Sequence, residues 1–288
     1  MKATIREINN SFEGYERLIA LYVKLKSVYF EQIEVEIEGW FAANMSSALG
    51  CILDLISDNI NMIKVNASYG WTSRILKKNE FLSYYGQIIE TDNHHTTIRY
   101  QKLTADDGRS FKEYVIEELL ERTELPIMTN GVKEKMAEGI YEIFVNAQIH
   151  SESTNIYTCG QYFPKDKKIE FTIVDNGIGF KEKVNRRFGT DLSAIQAIKW
   201  ATKDKNTTKE EVTGGIGLAL LKEFVEMNKG KMQIVSSNGF YEFSAKGETV
   251  VAFSDEFPGT IVNLQFRTDD MSSYKLVSEN IPKPEDIF

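Results

Sequence analysis

At 288 residues the chain is long enough for one large domain or two ordinary ones. Its 42% hydrophobic and 26% charged content, with only five prolines, describes a globular protein and excludes long disordered tracts. A formal charge of −8 opposes general binding to phosphate backbones, which excludes nucleic acid as the main partner. No apolar run approaches the roughly 18 residues of a membrane span, so no membrane partner is expected. The opening M-K-A-T-I-R-E-I-N-N lacks the apolar core of a signal peptide. A cytoplasmic location is expected, where Cys51 and Cys159 would stay free thiols. With three histidines and no Cys/His cluster, a structural zinc site is not expected.

In chain order, residues 15–29 predict a helix with Leu18, Leu21, Val23 and Leu25 mostly inward. Ile33, Val35 and Ile37 alternate with Glu34, Glu36 and Glu38, the pattern of a half-buried strand with a charged outer face. A helix follows from the serines at 46 and 47 to Ile56, then a short strand from Asn61 to Val65 and a helix from Trp71 to Phe81. This alternation predicts a small α/β unit with parallel pairing over residues 1–90.

Ser46-Ser47-Ala48-Leu49-Gly50 at the helix start, with Asn79-Glu80-Phe81-Leu82 closing the unit, resembles a STAS-type domain of anti-sigma-factor antagonists. That resemblance implies a regulatory domain in which Ser46 or Ser47 accepts a phosphoryl group from a kinase. The residues themselves favour a plainer role, with both serines capping the helix.

Residues 91–110 predict a strand over Thr97–Leu103 and a turn connecting two domains. His94 and His95 would point to opposite faces of such a strand, which argues against a shared metal. Phe111–Arg122 predicts a helix, and so does Met136–Ser151, where Met136, Ile140, Ile143, Phe144 and Ala147 face a core. On that second helix Glu142, Asn146 and His150 form a stripe beside the apolar face. Alone, the stripe reads as the polar side of an ordinary amphipathic helix.

Two glycine motifs change that reading. Ile169, Phe171 and Ile173 alternate along a strand that ends in V-D-N-G-I-G-F, residues 174–180. T-G-G-I-G-L, residues 213–218, then runs into a helix that Gly230 ends, and three apparent strands follow, the last around Gly259–Phe266. Asp175 at a strand end can accept a bond from an exocyclic amine of adenine, and Gly177 and Gly179 let backbone approach a flat ring. Gly214, Gly215 and Gly217 offer N–H groups and a helix dipole to phosphates. Asn146 offers a neutral oxygen to Mg²⁺, and Glu142, one turn earlier, could deprotonate an attacking water.

In this order and spacing the motifs resemble the GHKL ATPases, the gyrase, heat-shock-chaperone, histidine-kinase and MutL type of ATP-binding domain. Glu142-x-x-x-Asn146-Ala147-x-x-His150 is similar to that family's N box. Asp175–Gly179 and Gly214–Leu218 resemble its two glycine boxes, and Thr260 its adenine-site threonine. The resemblance implies an α/β sandwich (Bergerat-type) with a mixed, mostly antiparallel sheet and helices on one face over 111–267, followed by a polar tail at 268–288. It also implies ATP and Mg²⁺ as cofactors. A lid between the glycine boxes would carry Lys199, Lys203, Lys205 and Lys209 toward the triphosphate.

Histidine autokinase activity is not expected, because no histidine sits on a dimerising helical hairpin. Three functions stay open: a nucleotide-controlled switch or slow ATPase, a protein serine kinase of the anti-sigma type acting on STAS proteins, and an adaptor that holds ATP without turnover. A regulatory or STAS-type protein is the expected partner, and homodimer formation is left open.

Overall fold

The computed structural model describes residues 1–104, 106–150, 154–203 and 216–280. The first strand, β1 (Lys2–Ile8), has no counterpart in the sequence reading, because its alternation is short and broken by Glu7. Glu7 has a φ of 52° and marks a bulge between Arg6 and Ile8. α1 (Phe12–Leu25) is capped by Ser11, whose hydroxyl accepts from the Gly14 N–H at 3.2 Å. It starts and ends a turn earlier than its apolar spacing suggests. β2 (Gln32–Phe41), α2 (Ser46–Ser57), β3 (Met62–Ala67) and α3 (Gly70–Lys78) follow.

The three strands pair in parallel in the order β1-β2-β3. α1 and α2 pack against each other and share one core with this sheet. The glutamate row of β2 is matched from both sides, Lys2 reaching Glu36 at 3.9 Å, Arg6 binding Glu38, and Lys64 reaching Glu34 at 3.9 Å.

β4 (Thr97–Thr104) lies in the stretch between the two expected domains and forms the edge of a second sheet. α4 (Gly108–Tyr114) runs on into a π-helical segment, Val115–Leu120. Then come β5 (Ile127–Met128), α5 (Asn130–His150), β6 (Asn155–Phe163), β7 (Lys168–Asp175), α6 (Gly179–Phe188) and α7 (Ala194–Ala201). α8 (Ile216–Met227), β8 (Lys231–Ser244), β9 (Gly247–Arg267) and β10 (Ser273–Tyr274) complete the described chain. Where three strands were expected after Gly230, two long ones form a single hairpin. The second sheet is antiparallel in the order β4-β6-β7-β9-β8. No described helix is long and apolar enough to cross a membrane.

One face of this sheet carries the helices. Ile169, Phe171 and Ile173 of β7, with Val262, Leu264 and Phe266 of β9, pack under Phe111, Ile140, Phe144 and Leu221. Period-two alternation sends Glu170, Thr172 and Val174 to the opposite face. That face is covered too, by the N-terminal α/β domain, so α1 and α2 lie between two sheets.

The contact is apolar at Val174, Val235, Ile261, Leu49 and Ile52 and polar between. The Ala43 N–H donates to Gln161 at 2.6 Å, and the Asn44 amide donates to Thr172 at 2.9 Å. The Tyr15 hydroxyl donates to Gln233 at 3.2 Å, and Asn263 donates to buried Glu170 at 2.7 Å. Burial raises the Glu170 carboxyl above its usual range, against the pull of Lys168 and Asn263. Asn44→Ala removes buried bonds that water cannot replace. A loss of about 1–3 kcal/mol is expected, read as a lower denaturant midpoint of the whole chain.

Ser46 and Ser47 do not cap α2. Both are fully buried, Ser47 donating to the Asn44 carbonyl at 2.8 Å and Ser46 accepting from Asn79 at 3.1 Å. After β9 the chain returns along the domain, β10 pairing in parallel with β5. Asn228 and Tyr274 both donate to Asp270, at 2.9 and 2.5 Å. Burial raises that carboxyl, but these bonds and those from Ser272 outweigh it and hold it at about 2.

Candidate nucleotide cleft

Five elements meet at one end of the antiparallel sheet. α5 contributes Ile143, Asn146 and Ala147, and β7 ends there in Asp175. The start of α6 adds Gly179, Phe180 and Lys183. Leu218 of α8 and Thr260 and Val262 of β9 close the cleft. Asn146, Asp175, Gly179, Leu218 and Thr260, distant in sequence, thus line one space. An apolar wall of Ile143, Phe180, Leu218 and Val262 beside a few polar groups suits a flat heteroaromatic ring.

Asp175 and Thr260 are directly paired across β7 and β9. One Asp175 carboxylate oxygen accepts the Gly177 N–H at 2.8 Å, which fixes the turn after the strand and leaves the other oxygen for the cleft. Burial pushes the carboxyl up to about 6, with the Gly177 bond and the charge of Lys183 opposing the shift.

Two glycines are required by geometry. Gly179 has a φ of 72°, and a Cβ there would lie 2.6 Å from the Ser236 hydroxyl. Gly259 has a φ of 145°, and its Cβ would lie 1.9 Å from the Asp175 carbonyl oxygen. Ser236 ties these parts together: its buried hydroxyl accepts from the Phe180 N–H at 2.9 Å and lies 3.3 Å from the Thr260 hydroxyl.

The remaining candidates fall elsewhere. Glu142 is half-buried on α5, one turn before Asn146 and outside the cleft lining. Gly217 sits in the first turn of α8. Lys203 is exposed just past α7 and does not line the cleft. Gly214 and Gly215, with the lid lysines Lys205 and Lys209, lie outside the described residues. Among the described residues no group of three or more His, Cys, Asp or Glu is placed to hold a metal.

Sequence reasoning missed Lys183 and Ser236. Lys183 stands four residues after Gly179 on a helix, a spacing that returns it toward the glycine box. Ser236 carries no such signal, since only the adjacency of β8 and β9 brings it to the site.

No curated protein matches the chain. A family model described as histidine kinase-, DNA gyrase B-, and HSP90-like ATPase matches residues 105–263, more than half of the chain. It spans the helix with Asn146, the strand with Asp175 and the strand with Thr260. Residues 105–263 are thus an ATP-binding domain of this type, and the chain belongs to the histidine kinase-, DNA gyrase B- and HSP90-like ATPase family.

Proposed function

We propose that this protein is a Mg·ATP-dependent switch with slow hydrolysis, in which the N-terminal domain responds to the nucleotide state of the cleft. The observation that carries this reading is the convergence of Asn146, Asp175, Leu218 and Thr260 on a sheet whose other face holds the N-terminal domain. β7 supports the coupling: Asp175 faces the cleft, while the neighbouring Val174 and Thr172 contact the N-terminal domain. A ligand that favours one posture of β7 and β9 would shift the domain contact with it.

In this reading Asp175 and Thr260 hold the adenine edge, and the backbone around Gly217 faces phosphate. Asn146 supplies one neutral oxygen to Mg²⁺, whose other ligands would be phosphate oxygens and water. Glu142, one helical turn away, is the proposed base for water.

A serine-kinase reading in which the N-terminal domain is the substrate meets an obstacle. The Ser46 and Ser47 hydroxyls are fully buried and already bonded, to Asn79 and to the Asn44 carbonyl. The STAS-type resemblance, carried by Ser46–Gly50 and the closing Asn79–Leu82 segment, points to Ser46 or Ser47 as acceptor, so this reading would need those buried hydroxyls to be exposed first.

Incubation with Mg²⁺ and γ-phosphate-labelled ATP separates these functions. Free phosphate released slowly by the wild type and lost in Asn146→Ala is the expected result. Label retained on the chain, and removed by Ser46→Ala or Ser47→Ala, would sink the switch reading. In Asn146→Ala, Mg²⁺-dependent ATP affinity should fall at least about tenfold by calorimetry.

A further inference from the structure

A second cavity, of about 680 Å³, opens at the far end of the same sheet. It lies between α3 of the N-terminal domain and the β6–β7 hairpin of the ATPase domain. Phe163 pairs with Lys168 at this end and Ile156 with Asp175 at the other. Seven residues of strand, roughly 23 Å, therefore separate the two sites. Its volume falls within the range of about 300–1,000 Å³ typical of small-molecule sites, which favour domain junctions.

Its walls have a definite chemistry. Trp40 and Trp71 stack with centroids 4.2 Å apart and planes 10° from parallel, and Trp71 remains 38% exposed. An indole held rigidly by a neighbour, with surface open to a cavity, is a platform for a second planar ring. Ile75 and Phe163 form an apolar base beside it.

The charge lining the cavity opposes the sign of the protein. The chain carries −8, yet Arg74, Lys78 and Lys165 line this space against Asp166 alone. Lys78 is committed to Asp92 at 3.3 Å, and Arg74 is loosely paired with Glu90 at 3.6 Å. Lys165 is exposed and has no acidic partner among the described residues, and exposed His94 stands on the same rim. Aromatic platform and cationic rim together select a ligand with both a flat ring and negative charge.

We propose that this cavity is a second ligand site, taking a small planar aromatic molecule that carries an anionic group. It is built from residues the nucleotide cleft does not use, and it stands whether or not the switch reading holds.

The test is calorimetric titration of the full chain with indoleacetate and flavin mononucleotide, set against their neutral counterparts indole and riboflavin. Wild type, Trp71→Ala, Lys165→Glu and Asp175→Ala are compared. Saturable binding of at least one anionic probe is expected, with the neutral counterpart at least about tenfold weaker. Binding should be lost in Trp71→Ala, weakened several-fold in Lys165→Glu and unchanged in Asp175→Ala. Lys165 is exposed and has no acidic partner among the described residues, so its variant keeps the test valid if Trp71→Ala fails to fold. Binding lost in Asp175→Ala would place the probe in the nucleotide cleft and overturn the proposal. So would equal binding of neutral and anionic probes, indifference to Lys165→Glu, or no saturable binding by either anion.

Discussion

Asp175→Asn should make the protein more stable at neutral pH while removing most of its affinity for ATP. The Asp175 carboxyl titrates at about 6 in the folded chain against 3.8 for an unperturbed group, chiefly because burial disfavours its charge. A raised carboxyl pKa means that the folded state binds the proton more tightly than the unfolded one. The contribution is fully present below the unfolded pKa and is lost as pH rises through the folded one. Wild-type stability should therefore fall between about pH 4 and 6 on this group's account, by at most about 3 kcal/mol for two units. The amide does not titrate, so variant and wild type should match near pH 4, diverge between about pH 4 and 6, and keep a constant gap above that.

Asn keeps an oxygen for the Gly177 N–H but surrenders the charge that makes that bond strong, which trims the gain to roughly 1–2 kcal/mol. Thermal melts across this pH range read it directly, as a rise of several degrees at neutral pH. ATP affinity of the wild type should weaken as pH falls through about 6, because a protonated carboxyl no longer offers two acceptor oxygens to an amine. A variant that is neither stabilised at pH 7 nor weakened in ATP binding would remove Asp175 from the adenine site. A residue that costs stability where it stands is the pattern expected of a functional group.

Gly259→Ala should damage fold and cleft together. The new methyl would lie 1.9 Å from the Asp175 carbonyl oxygen and 2.9 Å from the Asn176 Cα, both backbone atoms of the facing turn. No side-chain rotation relieves such contacts. The φ of 145° adds strain for any residue with a Cβ. Either the β7–β9 pairing opens at Asp175–Thr260 or the turn holding Gly177 shifts. A cost of roughly 3 kcal/mol or more is expected, with ATP binding lost in the fraction that still folds. Gly247→Ala is the matched control: it too has positive φ, but nothing lies within 4 Å of its Cβ, so the cleft should be untouched. Equal ATP affinity in wild type and Gly259→Ala would mean that the close approach at Asp175 plays no part in forming the site.

The sequence by itself determined the elements that carry strong local signals. Alternation in Ile169–Ile173 set the faces of β7, because a strand with one buried side must place every second residue there. Helical spacing in Met136–Ala147 set the inward face of α5, and the glycine motifs with Asn146 and Asp175 marked the ATP-binding domain before any geometry was known. Such signals are local, written within one or two turns of chain.

What only the tertiary structure decided involves pairs of surfaces distant in sequence. Glu170, Thr172 and Asn263 are polar residues on the side of the sheet away from its helices, yet they are buried under Asn44 and its neighbours. Ser46 and Ser47 read as caps or phosphoacceptors, yet both are fully buried and bonded to Asn79 and the Asn44 carbonyl. β1 escaped notice because its short alternation is broken at Glu7, and Ser236 because its role arises from the order of strands in a sheet. Polarity along a chain says which residues can face water. Which of them do depends on what the rest of the protein lays over them.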